Sequence, residues 1–437
     1  MRSNGVEVTE LKRTSIVRLI LDKDTEAKLK ALCSLASRLW NEVNYARRRQ
    51  FFEKKRVDLK GTYKHFYDKY KALIGSATTQ QVLNKNNEAW RSFFALLKAK
   101  KEGKLPPFIK DVNPPEYKKK HGSRVLWVVL RNDQYRISDD KIIIRGLGAI
   151  RRIEVRYNGR IHLKGKQGRL EIRYDPDSRK WYAHITVEVS EKLVRGTWRK
   201  VPLKPRGTLR AGIDIGINNL FAVYVEDGRT LLVNGRLLKA ISHYWRMRIA
   251  EYQSVLNKYG LYSSHRLRRM YRKWRRQVRH YINTVVRRLA EELYNAGVSM
   301  VYVGYPKLIT QRNGDFNTVQ VWTYGYLLRR LVEVLEEYGI TVHFVDEAYT
   351  SSKCPLHGDD CGKRVARGLF KCTRLNKVFN ADLVASYNIL IKGMETITPS
   401  PRMGIGVMGW RPSPGLNPHG DVALNLPALT TPRTLAL

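Results

Sequence analysis

The spacing of apolar positions changes period several times along the chain. TSIVRLIL (14–21) has the β-branched run of a strand. From Asp24 the period becomes helical, with Leu29, Leu32, Ala36, Leu39, Trp40 and Val43 three or four apart. TTQQVLNKNNEAWRSFFALLKAKKEG (78–103) repeats the helical pattern and stops at a glycine before LPPF. Between 124 and 190 the runs VLWVVL, KIIIR, IRRIEVRY, RLEIRYD and WYAHITVEV are β-branched or alternating, with DPDS as a turn between the last two. These strands predict a small antiparallel barrel or sandwich that the early strand joins, with the helices as an excursion from it.

A second pattern opens at 209. LRAGIDIGINNLFAVYVEDGRTLLVNG predicts three strands joined by tight turns, followed by one long helical stretch over roughly 238–296. SMVYVGYP (299–306) is a strand, 318–338 a helix, TVHFVDE (341–347) a strand, and 379–392 a helix after a Cys/His-rich insert. Three meandering strands followed by alternating helix and strand give the order of an RNase H-like fold, with the first strand central beside the fourth and the fifth outside the fourth. The fold class is therefore multidomain α/β plus all-β. The segments divide at 1–21, 22–120, 121–206, 207–349, 350–376, 377–396 and 397–437. The last holds seven of the sixteen prolines, almost no charge, and reads as a disordered extension.

Composition narrows the partners. The chain has 437 residues, 81 of them Lys or Arg against 39 Asp or Glu, a net charge of +42. Basic runs such as Arg47-Arg48-Arg49, Lys98 to Lys104 and Lys118-Lys119-Lys120 lie between apolar segments. Such a surface repels itself unless a polyanion neutralises it, so nucleic acid is the expected partner ahead of a ribosomal or membrane surface. No apolar run reaches eighteen residues and no signal-peptide core opens the chain, which predicts a cytoplasmic protein, nucleoid-associated when on DNA, with no membrane partner. Cys33 stands alone in a helical pattern as a small buried hydrophobe.

Two groups of residues carry candidate chemistry. Asp214 ends an apolar strand in GIDIG, and Asp382 lies in the amphipathic stretch FNADLVASYNIL. Taken singly, the first reads as a turn cap and the second as an acid favoured by a helix dipole. Placed in this strand order they converge, as a site holding two Mg²⁺ ions about 4 Å apart requires. A third acid is expected at the end of the fourth strand, but VYVGYPK offers Gly304 there. Glu347, on the neighbouring fifth strand about 4.8 Å away, is the expected third ligand. Asp346 competes with it, since successive strand residues face opposite ways. The second group, Cys354, His357, Cys361 and Cys372, predicts a separate structural Zn²⁺ site, although Leu375 stands where a second Cys-x2-Cys would close; unligated thiols are the alternative. In RLRRMYRKWRRQVRHYINTVVRRLAEEL (266–293), Leu267, Met270, Trp274, Val278, Tyr281, Val285 and Leu289 form a core face. Arg268, Arg272, Arg275, Arg276 and Arg279 form a nearly all-positive remainder, suited to a nucleic-acid backbone.

GIDIGINNL, the Arg-rich helix, VYVGYPK, the W-x-Y stretch at Trp322, YTSSKCP and NADLVASYNIL together resemble TnpB, the transposon-encoded RNA-guided nucleases related to type V CRISPR effectors and Fanzor proteins. The match covers roughly 205–392 and is nearest to archaeal copies. The resemblance implies a wedge β-barrel interrupted by a helical recognition lobe, then a RuvC-like nuclease domain with a zinc-ribbon insert. It places the first and last RuvC aspartates on Asp214 and Asp382. The family's usual glutamate falls on Gly304; members with a relocated glutamate, as in Fanzor-like proteins, carry it just before the TS of the insert, where Glu347 stands. The ribbon departs from two Cys-x2-Cys pairs at His357 and Leu375. The function implied is Mg-dependent, RNA-guided cleavage of double-stranded DNA beside a short transposon-adjacent motif, with guide RNA from the transposon end. The alternatives are a nuclease-dead RNA-guided repressor of the same fold and a transposase acting without guide RNA.

Overall fold

The computed structural model describes residues 11–103, 111–120, 123–194, 196–305, 324–347, 350, 352–359, 361–366 and 368–397. The stretch around Trp322 and the segment after 397 lie outside them. Two compact units divide the chain after Val201.

The first unit joins a nearly closed antiparallel sheet to three helices. Its strands are β1 (Lys12–Ile20), β2 (Trp127–Leu130), β3 (Tyr135–Ile137), β4 (Lys141–Arg145), β5 (Arg152–Asn158), β6 (Leu163–Asp175), β7 (Lys180–Val194) and β8 (Thr197–Lys200). They run in the order β2-β6-β7-β1-β5-β4-β3, with β8 paired to β7. The early strand thus sits in the middle of the sheet. Its alternation explains this: Val17 and Leu19 turn inward while Lys12, Thr14, Ile16, Arg18 and Ile20 turn outward. Between β6 and the end strand β3, Gln167 Nε2 donates to the Asn132 and Tyr135 carbonyls and the Tyr135 hydroxyl donates to the Gly168 carbonyl.

Helices α1 (Lys23–Phe52), α2 (Leu59–Ile74) and α3 (Ser76–Lys101) share one apolar core with the sheet. Asp22 and Asp58 begin the first two, each accepting from backbone N–H groups of the first turn. The apolar face of α1 is the expected one, and Cys33 is fully buried in it. The basic run 47–49 does not behave as a phosphate track. Arg47 is buried, donating to Thr62 Oγ1 (2.9 Å), Asn86 Oδ1 (2.7 Å) and the Leu59 carbonyl (3.1 Å). Arg48 lies over the Phe52 and Tyr117 rings, and Arg49 pairs with Glu53. Desolvation lowers the Arg47 pKa to about 10, so the group stays charged at neutral pH and pins all three helices. Arg47→Leu strands two buried polar side chains and is expected to cost about 2–4 kcal/mol. A drop in urea midpoint at unchanged slope measures it; an unchanged midpoint refutes it.

The second unit is a five-stranded mixed sheet between two helical layers. Its strands β9 (Leu209–Asp214), β10 (Asn219–Val225), β11 (Thr230–Asn234), β12 (Val298–Tyr305) and β13 (Thr341–Asp346) run in the order β11-β10-β9-β12-β13. β9 to β11 are antiparallel neighbours; β9, β12 and β13 are parallel. This is the strand order the apolar pattern predicts. On one face, Ala211, Ile213, Phe221, Val223, Val301 and Val303 pack under α4 (Arg236–Lys258), α5 (His265–Asn295) and α6 (Tyr324–Glu337). Gly212, Ala222, Tyr224, Tyr302 and Val345 belong to the other face, under α7 (Ala381–Ile397).

The long helical stretch is divided in two. Gly260 takes φ +66, a left-handed conformation that ends α4, and Ser264 Oγ accepts from the Leu267 amide to begin α5. On the other face two glycines let α7 lie directly on the sheet. A Cβ at Gly212 would fall on the Ser386 carbonyl of α7, and one at Gly393 on the Tyr302 ring. Among the described residues no helix is long and apolar enough to cross a membrane.

Candidate functional site

Strand parity puts Asp214 and Glu347 on the α7 face of the sheet, and the start of α7 brings Asp382 beside Asp214. Asp214 follows Gly212 by two residues, so both lie on the α7 face of β9. Val345 packs in the α7-side core, and Glu347, two residues on, continues that face while Asp346 takes the other. Asn380 Oδ1 accepts from the Asp382 and Leu383 amides, starting α7 so that Asp382 sits in its first turn. The Asn219 amide donates to Asp382 Oδ2 at 2.8 Å.

Gly304 explains the shape of the site. A Cβ there would lie 2.6 Å from Glu347 Oε1 and 2.8 Å from its Cγ. The glutamate side chain from β13 therefore occupies the room that a side chain on β12 would need. Its backbone carbonyl accepts from the Thr350 amide (3.1 Å) and hydroxyl (2.9 Å). Thr350 is itself held by Asn388 of α7, whose Nδ2 donates to the Thr350 and Lys353 carbonyls.

The acids act on one another. Burial, then the Asp382 charge, pushes Asp214 up to about 7, opposed by the Arg364 guanidinium and the Ile215 amide. Burial, then the Asp214 and Asp346 charges, pushes Glu347 up to about 8. Glu347 Oε1 is buried with no hydrogen-bond partner. Crowded carboxylates with an orphaned buried oxygen are what a hard cation satisfies, so the donor set fits magnesium. Because both pKa values rise on folding, the magnesium-free protein binds these protons more tightly than the unfolded chain. Their contribution is full below about pH 4 and is lost as pH rises through 7 to 8. Asp214→Asn is therefore expected to stabilise the magnesium-free protein at pH 8.5 by roughly 1–4 kcal/mol and to change little at pH 4.5. Thermal melts at the two pH values check this; equal effects at both would contradict it.

The Cys/His group assembles as a separate cluster. Its strands β14 (Gly362–Ala366), β15 (Leu369–Cys372) and β16 (Val378–Asn380) form a small antiparallel sheet. The ligand atoms of Cys354, His357, Cys361 and Cys372 lie within 4.8 Å of one another. His357 Nδ1 is 3.5, 3.1 and 3.7 Å from the Cys354, Cys361 and Cys372 sulfurs, and Cys361 and Cys372 are 3.9 Å apart. A tetrahedral zinc with bonds of about 2.3 Å separates sulfurs by about 3.8 Å, so four ligands without Leu375 suffice and the cluster could hold a structural zinc.

On α5, Leu267, Val278, Tyr281, Val285 and Leu289 are buried, with Met270 and Trp274 packed beside them. Arg268, Arg275, Arg276 and Arg279 are exposed and Arg272 half-buried. Arg268, Arg272, Arg275 and Arg279 recur at four, three and four residues, forming one stripe. The Arg279 guanidinium lies 5.2 Å from the Tyr326 ring centroid, and Arg268 donates to Ser263 Oγ. Sequence reasoning missed Asn219, Arg364 and Thr350, which touch or charge the acids from other elements, and Asn388, which holds Thr350. The doubled Asn of GINN, five residues past Asp214, was the one readable signal among them.

The fold and these two clusters define a mixed α/β protein with a crowded acid centre beside a Cys/His cluster that could hold a metal. Residues 184–310 match the family model described as a probable transposase, OrfB_IS605, and 324–389 match the Cas12f1-like TNB domain. The chain is 40% identical over 407 residues to the TnpB-like protein ORF457 of Acidianus two-tailed virus, covering 88% of each chain. It is 38% identical over 80 residues to the CRISPR-associated endodeoxyribonuclease Cas12f1 of Sulfoacidibacillus thermotolerans, 18% of this chain and 19% of that one. A cryo-EM structure of a Cas12f1–sgRNA–target DNA complex shares the fold at TM-score 0.55 and 12% identity, covering 85% of this chain and 83% of that one. The chain belongs to the TnpB-like family.

Proposed function

We propose that the chain is an RNA-guided, magnesium-dependent DNA endonuclease, transposon-encoded, that cuts double-stranded target DNA beside a short adjacent motif. In this reading the second unit is a RuvC-like, RNase H-like nuclease domain (207–349 and 377–396) with a zinc-binding insert (350–376). The first unit combines a wedge β-barrel (1–21 and 121–206) with a helical recognition lobe (22–120). The observation that carries the reading is the Glu347 carboxylate seated over Gly304 in the same half-buried centre as Asp214 and Asp382. A lost glutamate at Gly304 alone would favour a nuclease-dead repressor; a glutamate filling the vacated room favours a working site.

Asp214, Glu347 and Asp382 are the proposed magnesium ligands and catalytic residues. Two Mg²⁺ ions, when bound, supply an activated water and stabilise the leaving oxygen. Asn219 keeps one Asp382 oxygen occupied and so orients the other. Arg364 brings a positive charge to Asp214, where a phosphate would also be attracted. Thr350 and Asn388 fix the backbone that carries Glu347. The arginine stripe of α5 lies where it can follow a phosphate backbone, with guide RNA from the transposon end and target DNA as the polyanions that balance +42.

The test is co-expression with the RNA encoded at the element end, followed by incubation of the purified complex with plasmids carrying matched or scrambled targets beside a randomised motif. Cutting of the matched plasmid only, in Mg²⁺ and not without it, is the expected result. Guide-dependent binding without cutting overturns it in favour of a repressor, and RNA-independent strand joining in favour of a transposase.

A further inference from the structure

The hairpin of α4 and α5 carries a surface that the acid centre does not use. Along α4, Leu238, Ile241, Trp245, Ile249 and Leu256 are buried. A second stripe, Tyr244, Met247, Glu251, Val255 and Lys258, repeats at three and four residues and leads into the turn Tyr259-Gly260-Leu261-Tyr262. Its large side chains stand in solvent: Met247 is 66%, Tyr259 76% and Tyr262 85% exposed. A run of exposed large apolar groups along a whole helix marks a binding face. The surroundings state what it binds. From Tyr252 to Ala290 the chain has no acidic residue, and the single acid of α4, Glu251, lies 3.5 Å from Arg248. Flat rings set in a stretch rich in cations and without acids suit nucleobases whose phosphates need neutralising.

The spacing separates a continuous base stack from splayed bases. Tyr244 and Tyr259 are fifteen helical residues apart, about 22 Å, with unequal gaps to Met247 and Val255 between them. Regularly stacked bases do not match that spacing; unstacked bases of a folded RNA's loops do. Gln253 donates to Asn257 Oδ1 and to the Tyr262 carbonyl, tying the end of α4 to the turn that carries the rings.

We infer that the outer face of α4 and the turn at 259–262 bind unpaired bases of single-stranded RNA by stacking on Tyr244, Tyr259 and Tyr262. The inference rests on the nucleic-acid reading of the chain but not on the acid centre, so a protein that never cuts can still satisfy it. The test uses the full chain freed of co-purified RNA, with fluorescence anisotropy on short oligouridine, oligothymidine and a blunt RNA duplex. The Tyr244→Ala/Tyr259→Ala/Tyr262→Ala variant is expected to bind oligouridine about tenfold or more weakly, since each base stacked on an aromatic ring contributes substantially. The corresponding triple Phe variant is expected to bind like wild type. The duplex affinity and the slope of affinity against salt should not move, because no phosphate contact is removed. Oligouridine binding unchanged in the Ala variant overturns the inference, as does a wild type that binds no oligouridine. An equal loss on oligothymidine makes the face a general single-strand surface and overturns its assignment to RNA. A wild type that self-associates while the Ala variant is monomeric reassigns it to protein.

Discussion

Target cleavage is expected to fall about a thousandfold in Glu347→Gln, equivalent to about 4 kcal/mol of lost transition-state stabilisation, and to stay close to wild type in Asp346→Ala. The asymmetry follows from parity. Val345 packs beneath α7, so Glu347 continues that face and Asp346 the other. Asp346 acts on Glu347 through its charge, which is one of the causes raising the Glu347 pKa. Gly304→Ala supplies an independent probe. Its new methyl would meet the Glu347 carboxylate at 2.6 Å and the Ile389 methyl at the same distance, so it should displace the glutamate and depress cutting with every acid still in place. Single-turnover cleavage of a matched target measures all three. Activity that survives Glu347→Gln removes it from the ligand set; activity lost equally in Asp346→Ala removes the parity argument.

Cys372→Ser is expected to abolish zinc binding and, with it, cleavage. Metal coordination in small sites of this kind contributes on the order of 10 kcal/mol of folding free energy, far more than the short strands β14 to β16 supply by themselves. Losing it frees Arg364 from its place beside Asp214. It also loosens the chain at Thr350 and Lys353, which Asn388 clamps to α7 and which in turn fixes the Glu347 carbonyl. The expected signature is one equivalent of zinc by elemental analysis in wild type and none in the variant, with a lower thermal midpoint. Full cleavage in a zinc-free variant would show that the insert does not support the acid centre.

The parts of this molecule that were legible in the sequence are those governed by period and parity. Strand order in the second unit, the core face of α5 and the placing of Asp214 and Glu347 on one side of the sheet all follow from which residues alternate. The parts that were not legible depend on distant segments meeting. Arg47 looked like one more cation in a basic run, and only the arrival of Thr62, Asn86 and the Leu59 carbonyl makes it a buried pin. Arg364 was hidden for the same reason, since its partner is 150 residues earlier. The division of the long helix was signalled by Gly260 and Ser264, but the amphipathic pattern on both sides masked the interruption.

The close seat of α7 on β9, allowed by the bare backbone at Gly212, also sets a timetable for synthesis. Asp214 leaves the ribosome about 170 residues before Asp382, a delay of about 10–30 s at ordinary elongation rates. Throughout that interval the emerging polypeptide holds the first acid but lacks the helix that completes the set. The centre is finished only when the segment carrying Asp382 and Ser386 settles onto the sheet. The first unit, complete in sequence by Val201, can therefore assemble before the acid set is finished.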